Sequence, residues 1–313
     1  MRPLRRLRDD RGTALIMITL LFTALLSLVA LAFDFGSWYR AQRNLQAAAD
    51  AAALAGAQDL PNTATAASTA TSYANANATG LNSWSPSFPD TNTIDISLSK
   101  DVPASFAKLV GIDSKTVHAH ARAQIGSPGS MKNVVPVGIK SSAACATGST
   151  GCFFTPKTLT FDDSTTASFG SSTWGLLDLG GGSASSSSCT GNVGEGTQAG
   201  WITSGYPGVL TVNNYYGATT GQRTSIRNSL NAVVGKLLLI PVFDSADLSW
   251  CGNKGGFHVI GWAAFVIDQT IPNSDWNPHL KILHGHFETY IPTDVVSTPG
   301  VPGFGVKTVT LVQ

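Results

Sequence analysis

The feature that most constrains this chain is an apolar segment close to its N-terminus. Residues 13–33 read TALIMITLLFTALLSLVALAF and contain no charged side chain. At 1.5 Å per residue, a helix of this length spans about 31 Å, which matches the hydrocarbon core of a bilayer. We therefore predict a transmembrane helix over residues 13–33, with Leu15, Leu21, Phe22 and Leu28 among its anchoring side chains.

Basic residues lie mostly on one side of this segment. Only Arg40 and Arg43 follow it closely, whereas a cluster of arginines precedes it. The arginines of the cluster are Arg2, Arg5, Arg6, Arg8 and Arg11. Because the more basic flank of a membrane helix stays in the cytoplasm, we expect residues 1–12 to be cytoplasmic and everything after about Asp34 to be translocated.

Polar and aromatic residues fit the same environment. Thr19, Thr23 and Ser27 are spaced four apart, so each hydroxyl can donate to a carbonyl one turn earlier and costs little in lipid. Trp38 and Tyr39 lie just beyond the segment, where an interfacial aromatic belt is expected.

A cleaved signal peptide is the main alternative, because Ala30-Leu31-Ala32 forms a small-x-small cleavage site. The apolar segment is longer than the ~7–15 residues of an ordinary signal core, which favours a retained anchor. A buried hairpin of a soluble protein is a third reading. The first two readings both export the rest of the chain.

Export affects how the cysteines are interpreted. The chain has four of them, Cys145, Cys152, Cys189 and Cys251, and four cysteines allow three pairings. The most economical pairing joins Cys145 to Cys152 and Cys189 to Cys251 in an oxidising compartment. No Cys-x-x-Cys pair occurs, so the cysteines give little support to a zinc site.

Composition and missing motifs exclude several functions. Charged residues make up 12% of the chain and the formal net charge is +1, whereas nucleic-acid binders need a surplus of basic side chains. No Gly-x-Ser-x-Gly nucleophile motif occurs, and the glycine-rich stretches lack the Lys-Ser/Thr pair of a phosphate-binding loop. We therefore expect no cofactor, no nucleic-acid partner and no small-molecule substrate.

Alanine dominates the segment after the apolar run, which reads DFGSWYRAQRNLQAAADAAALAGAQD from Asp34 to Asp59. High helix propensity predicts one continuous helix from about Ala14 to Ala57, about 65 Å long. Small residues recur at three- and four-residue spacing and form a smooth stripe to which another helix can pack closely. Leu45 and the stripe residues Ala48, Ala49, Ala52 and Ala55 are the main candidates. We interpret the stripe as a docking surface for another subunit.

The block FDFGSWYRAQRNLQAAADAAALAGA resembles the N-terminal module of the TadG-like (TadE/G-like) proteins of Tad/Flp pilus assembly. That module has a hydrophobic helix, an Asp-x-Gly, an aromatic residue and a basic residue, then a Leu-Gln-x-Ala-x-Asp-Ala-Ala-Ala-Leu-Ala-Gly-Ala run. The positions that match it here include Asp34, Gly36, Trp38, Leu45, Asp50 and Leu54. The resemblance is tight over residues 11–57 and extends loosely to about Ile125.

The resemblance implies a non-catalytic structural or assembly component in the bacterial inner membrane, either pilin-like or accessory. Its partners would be other pilus-assembly or pilin-like subunits, contacted through the N-terminal helix. Pilin-like relatives cut by prepilin peptidase carry a glycine followed five residues later by glutamate. Here Gly12 is followed at that spacing by Met17, which favours an anchored accessory component over a major pilin.

The exported part divides into a small α+β module over residues 34–126 and a β-rich domain over residues 127–313. Within the module, alternating apolar residues predict strands near 94–98 and 117–125, with a short helix ending at Gly111 between them. Beyond it, short apolar strands recur between Gly/Pro turns, which is typical of a sandwich or barrel. We predict an α+β chain whose distal domain is sandwich-like.

Two other functional classes remain open. A membrane-tethered binding or adhesion module would recognise a surface polymer through Trp174, Trp201 or Trp262. An exported metal-dependent hydrolase would use His284, His286 and Glu288, which alternate along one predicted strand. His258 or His279 would complete the metal site. The same alternation is typical of an ordinary solvent-facing strand.

Overall fold

The computed structural model describes residues 10–162, 172–180, 193–219, 224–247, 256–277, 279–293 and 295–312. These residues form two compact units. The first unit contains the described residues up to Asp59, then Thr63–Ala123 and the residues from Leu311 onward. The second contains Leu60–Asn62 and Gln124–Thr310.

The first unit is built on helix α1 (Asp10–Gln58), which confirms the long N-terminal helix predicted from the sequence. No proline interrupts its 49 residues, so its ladder of backbone hydrogen bonds can be continuous. A second helix, α2 (Thr63–Asn77), packs on α1 and buries Ala66, Ala70 and Ala74 at four-residue spacing. The polar segment after α1 is thus a helix.

A four-stranded sheet accompanies the two helices. Strand β1 (Ser83–Asp90) pairs antiparallel with β2 (Thr93–Pro103). A 3₁₀ helix over Ala107–Val110 connects β2 to β3 (Ser114–Gly126). The last strand of the chain, β13 (Thr308–Val312), lies beside β3, so the strand order is β1-β2-β3-β13. The period-two pattern predicted for β3 is present, because every second side chain is buried. These side chains are Val117, Ala119, Ala121, Ala123 and Ile125.

The second unit is rich in β-structure, as predicted. Its strands are β4 (Ser130–Val134), β5 (Val137–Lys140), β6 (Lys157–Asp162), β7 (Trp174–Asp178), β8 (Tyr206–Thr211), β9 (Asn214–Thr219), β10 (Leu237–Asp247), β11 (Gly256–Ile267) and β12 (Leu280–Glu288). Two helices that were not expected are α3 (Glu195–Ser204) and α4 (Thr224–Asn231). They are short, and the two glycines of α3 weaken its sequence signal.

Strand pairing in the second unit closes a ring, as in a small barrel. Strands β10, β5, β7, β9 and β11 pair in that order, and β11 pairs back with β10, while β12 and then β6 extend from β11. Closure removes exposed edges from these strands and gathers their inward side chains into one core. The largest fully buried members of this core include Trp174, Trp262, Phe161, Phe243, Phe257 and Phe287. The α+β prediction is confirmed.

The predicted disulfide between Cys145 and Cys152 is present, with the two Cα atoms 5.7 Å apart. Cys145 is fully buried in the core of the second unit. Cys189 and Cys251 lie outside the described residues, so their predicted pairing stays a prediction.

We expect removal of this disulfide to destabilise the second unit measurably. Its cysteines are seven residues apart, and closing a loop of that size stabilises a protein by about 2–3 kcal/mol. The double variant Cys145→Ala/Cys152→Ala should therefore lose about that free energy of unfolding in urea titrations of the purified chain. An unchanged unfolding free energy would show that the bond contributes nothing to stability.

Candidate functional site on the N-terminal helix

The first half of α1 exposes almost all of its apolar side chains. Leu15, Leu21, Phe22 and Leu28 are each more than half exposed. Among the described residues, α1 is the one helix long and apolar enough to cross a membrane, and its most apolar stretch buries nothing within the protein. Exposed apolar surface of this extent is unfavourable in water but favourable in hydrocarbon, so the segment is a candidate membrane anchor.

Hydroxyl groups within this segment are satisfied by the helix itself. Thr19 Oγ1 donates to the Leu15 carbonyl, Thr23 Oγ1 to the Thr19 carbonyl and Ser27 Oγ to the Thr23 carbonyl, each at 2.8 Å. This confirms the pattern predicted from their spacing. None of the three donors would be left unpaired in lipid.

Asp34 marks the end of the exposed apolar segment and is fully buried. Its carboxylate accepts backbone N–H groups from Ser105 at 2.8 Å, Phe106 at 3.0 Å and Ala107 at 2.6 Å. These three N–H groups lie at the start of the 3₁₀ helix, where N–H donors have no partner within the helix. Burial alone would raise the pKa of Asp34, but the three backbone hydrogen bonds outweigh it and lower the pKa below its usual value. The carboxylate of Asp34 therefore connects α1 to a loop more than seventy residues away in sequence.

The aromatic residues around Asp34 take different roles. Phe33 meets Phe106 edge to face, with ring centroids 5.7 Å apart. Tyr39 is 66% exposed and can serve as an interfacial residue, whereas Trp38 is 8% exposed and packs inside the first unit. The interpretation of Trp38 as part of an aromatic belt was wrong, because its ring faces the protein.

The alanine stripe is occupied by the chain's own structure. Ala49 and Ala52 are fully buried, and Leu45 is 2% exposed. A Cβ added at Gly56 would lie 2.8 Å from Ile94 Cδ1 and 2.9 Å from the Ala66 carbonyl oxygen, so α2 and β2 approach the helix closely. The interpretation of the stripe as a docking surface for another subunit is therefore corrected: its small side chains admit α2 and β2 of the same chain.

The remaining candidate residues of α1 have structural surroundings. Gln46 Nε2 donates to Asp50 Oδ1 at 2.9 Å and to the His120 carbonyl at 2.7 Å, which joins α1 to β3. Leu54 is partly buried. Gly36 has open space where a Cβ would stand, so no close approach requires glycine there.

The residues proposed for a metal site form separate contacts. His284 Nε2 lies 3.5 Å from Asp275, and His258 Nδ1 lies 2.8 Å from Asp244. His286 lies between Asp268 and Glu288. No group of three or more His, Cys, Asp or Glu side chains in the described part of the chain is arranged to hold a metal ion.

Stability should depend on pH through His286, whose Nδ1 lies 2.6 Å from Asp268 Oδ1 and whose Nε2 lies 3.2 Å from Glu288 Oε1. Burial lowers the pKa of His286, but hydrogen bonds and charge from Glu288 and Asp268 outweigh it and raise the pKa above 6.5. A raised pKa gives stability that is complete below the unfolded-state value and is lost as the pH rises through the folded-state value. The difference in unfolding free energy between the wild type and His286→Gln should therefore be constant well below pH 6.5 and should decrease as the pH rises above 6.5. A difference that is constant with pH would contradict this.

Two of the tryptophans proposed to bind a polymer are in the core. Trp174 and Trp262 are fully buried, and Trp262 Nε1 donates to the Pro128 carbonyl at 2.8 Å. Neither ring can contact a ligand in this structure, which corrects that interpretation for both. Trp201 is partly exposed and packs edge to face on Tyr206.

Comparison with known proteins identifies the first helix. The model of a family described as putative Flp pilus-assembly TadE/G-like matches residues 12–59, which is nearly the whole of α1. No curated protein and no solved structure matches the chain. The resemblance of the N-terminal module is confirmed, and the match supports a pilus-related role and a membrane anchor.

Proposed function

We propose that this protein is a non-catalytic, membrane-anchored structural or assembly component of a Tad/Flp-type pilus. The observation that carries the proposal is that α1 combines three properties. Its sequence matches the TadE/G-like family model, and its first half exposes apolar side chains. Its second half packs in the core of a folded module. In this proposal residues 1–12 are cytoplasmic, residues 13–33 cross the inner membrane once, and residues 34–126 and 127–313 are extracytoplasmic domains.

The distribution of exposed surface on α1 supports a docking surface in the membrane-spanning half of this helix. The stripe residues Leu45, Ala48, Ala49, Ala52 and Ala55 are buried against the same chain and are unavailable to a partner. The most apolar stretch of α1 buries nothing within the described protein, so the exposed apolar residues of 15–33 can pack on lipid or on the helices of other subunits, and Phe33 also meets Phe106. We therefore place the docking surface in the membrane-spanning half of α1.

Photocrosslinking tests this placement. A benzoylphenylalanine at Phe22 or Leu28 should give adducts with pilus-assembly or pilin-like proteins in cells that make the pilus. The matched control is Leu45, a buried residue of the same helix, which should give no intermolecular adduct. Lipid adducts alone at several positions between 15 and 33, together with normal piliation after deletion of the gene, would overturn the proposed function.

Reporter fusions test the orientation. Alkaline phosphatase, which is active only outside the cytoplasm, should be active when fused after Gln313 and inactive when fused after Gly12. The reverse pattern would contradict the orientation predicted from the N-terminal arginines.

A further inference from the structure

The loop between β2 and β3, residues 104–113, has apolar side chains that nothing in the described structure covers. Leu109 is 87% exposed, Phe106 45% and Ile112 47%. Leu109 is more exposed than any large apolar side chain described for the lipid-facing half of α1, where Met17 reaches 72%. Three exposed apolar residues in ten positions form a patch of the kind that marks a contact with a membrane or a protein.

Backbone hydrogen bonds hold this loop in a compact form. The Ala104 N–H donates to the Asp113 carbonyl at 2.9 Å, which closes its base, and the Ile112 N–H donates to the Ala107 carbonyl at 3.1 Å. Gly111 ends the 3₁₀ helix at φ 87°, a conformation that favours glycine. The apolar side chains are therefore carried on an ordered support.

The position of the loop along α1 follows from two contacts. Near one end of β2, Ile94 lies against Gly56, and just past its other end Ser105 donates to Asp34. From residue 34 to 56 the helix rises about 33 Å. From residue 94 to 105 an extended chain covers about 36 Å. These lengths agree, so β2 runs beside α1 and delivers the loop to the level of Asp34, where the exposed apolar segment ends.

We propose that the β2–β3 loop is a second membrane contact, inserted into the outer interfacial layer of the bilayer beside α1. We favour lipid over a protein partner because the apolar patch of the loop adjoins the exposed apolar surface of α1. The two surfaces meet where Phe106 contacts Phe33 edge to face. Lys108 is exposed within the loop and supplies a positive charge for lipid phosphates, with its alkyl stem along the apolar surface.

A second membrane contact would fix the orientation of the module relative to the membrane. A single helix leaves a module free to rotate about the helix axis, whereas a second contact fixes which face of the sheet is turned to the membrane. Asp34 connects the two contacts, because its side chain on α1 accepts hydrogen bonds from the backbone of the β2–β3 loop. The inference rests on the proposed membrane anchorage.

Spin-label depth measurements test the proposal without requiring a pilus. A ketone-bearing residue that reacts independently of cysteine would replace Leu109, and the full chain would be labelled and placed at one copy per nanodisc of phosphatidylethanolamine and phosphatidylglycerol. Collisions with oxygen report lipid exposure, and collisions with a water-soluble nickel chelate report water exposure. Leu21 serves as the lipid reference. Asn92, an exposed residue in the turn at the far end of β2, serves as the water reference.

The label at Leu109 should give an oxygen-to-chelate ratio several-fold above that at Asn92 and below that at Leu21, because the interfacial layer is shallower than the centre of the bilayer. A deep label at Leu21 with a ratio at Leu109 equal to that at Asn92 would overturn the loop proposal and leave the anchorage intact. Water exposure at Leu21 as well would overturn the anchorage. Protection of Leu109 only in discs that hold several copies would make the loop a protein contact and would also overturn the proposal.

Discussion

Replacement of Asp34 by alanine is expected to release the β2–β3 loop from α1. The change removes the acceptor of three backbone N–H groups and leaves those groups without that partner at a partly buried site. Amide hydrogen exchange at residues 105–107 should accelerate by about tenfold or more, because opening of the loop would no longer break these bonds. The steady-state level of the protein should fall several-fold.

Asp101 is the matched control for this experiment. Its carboxylate is exposed and accepts the hydroxyl of Thr116 at 2.6 Å, so Asp101→Ala removes a charge in the same unit without freeing the N–H groups that Asp34 accepts. Asp34→Asn should have an intermediate effect, because its carbonyl oxygen can still accept. Wild-type exchange rates at residues 105–107 in Asp34→Ala would show that the hydrogen bonds to Asp34 do not hold the loop on α1.

A tryptophan in the alanine stripe is expected to disrupt the first unit and leave membrane insertion intact. Ala49 and Ala52 have no exposed surface, and at nearby Gly56 even a Cβ would lie within 3.0 Å of atoms of α2 and β2. Overpacking a core costs about 1–3 kcal/mol, and a change as large as Ala52→Trp should cost at least the upper value. Limited proteolysis of membrane preparations should cleave the variant between residues 60 and 126 faster than the wild type.

The same helix provides the control. Ala47 is exposed, so Ala47→Trp adds the same ring to the same helix without entering the interface with α2. Both variants should remain in the membrane fraction, since residues 13–33 are unchanged. Equal protease resistance of Ala52→Trp and Ala47→Trp would contradict the packing described for the stripe.

Local patterns were sufficient for much of the first unit. The apolar segment, the alanine-rich helix and the four-residue spacing of Thr19, Thr23 and Ser27 each depend on neighbours within the same helix, so the sequence indicated them directly. Alternation within β3 was equally local. The Cys145–Cys152 bond was predictable because short separation and an oxidising compartment both favour it.

The remaining features depend on contacts between residues distant in sequence. The stripe could have faced another subunit or the chain itself, and only the position of α2 decides between them, although Ala66, Ala70 and Ala74 at four-residue spacing were a signal for it. The role of Asp34 requires a loop more than seventy residues away. Trp174 and Trp262 are buried because the strands close into a ring, and ring closure leaves no local pattern.

The most direct test of the account is the intact mass of the protein recovered from membranes after carbonate extraction. A retained anchor predicts that the protein stays in the membrane pellet with residues 13–33 present in its mass, close to the 32.6 kDa of the full chain. A soluble product that begins near Phe33 would mean that the apolar segment is a cleaved signal peptide. That result would contradict both the anchorage and the docking surface assigned to the first half of α1.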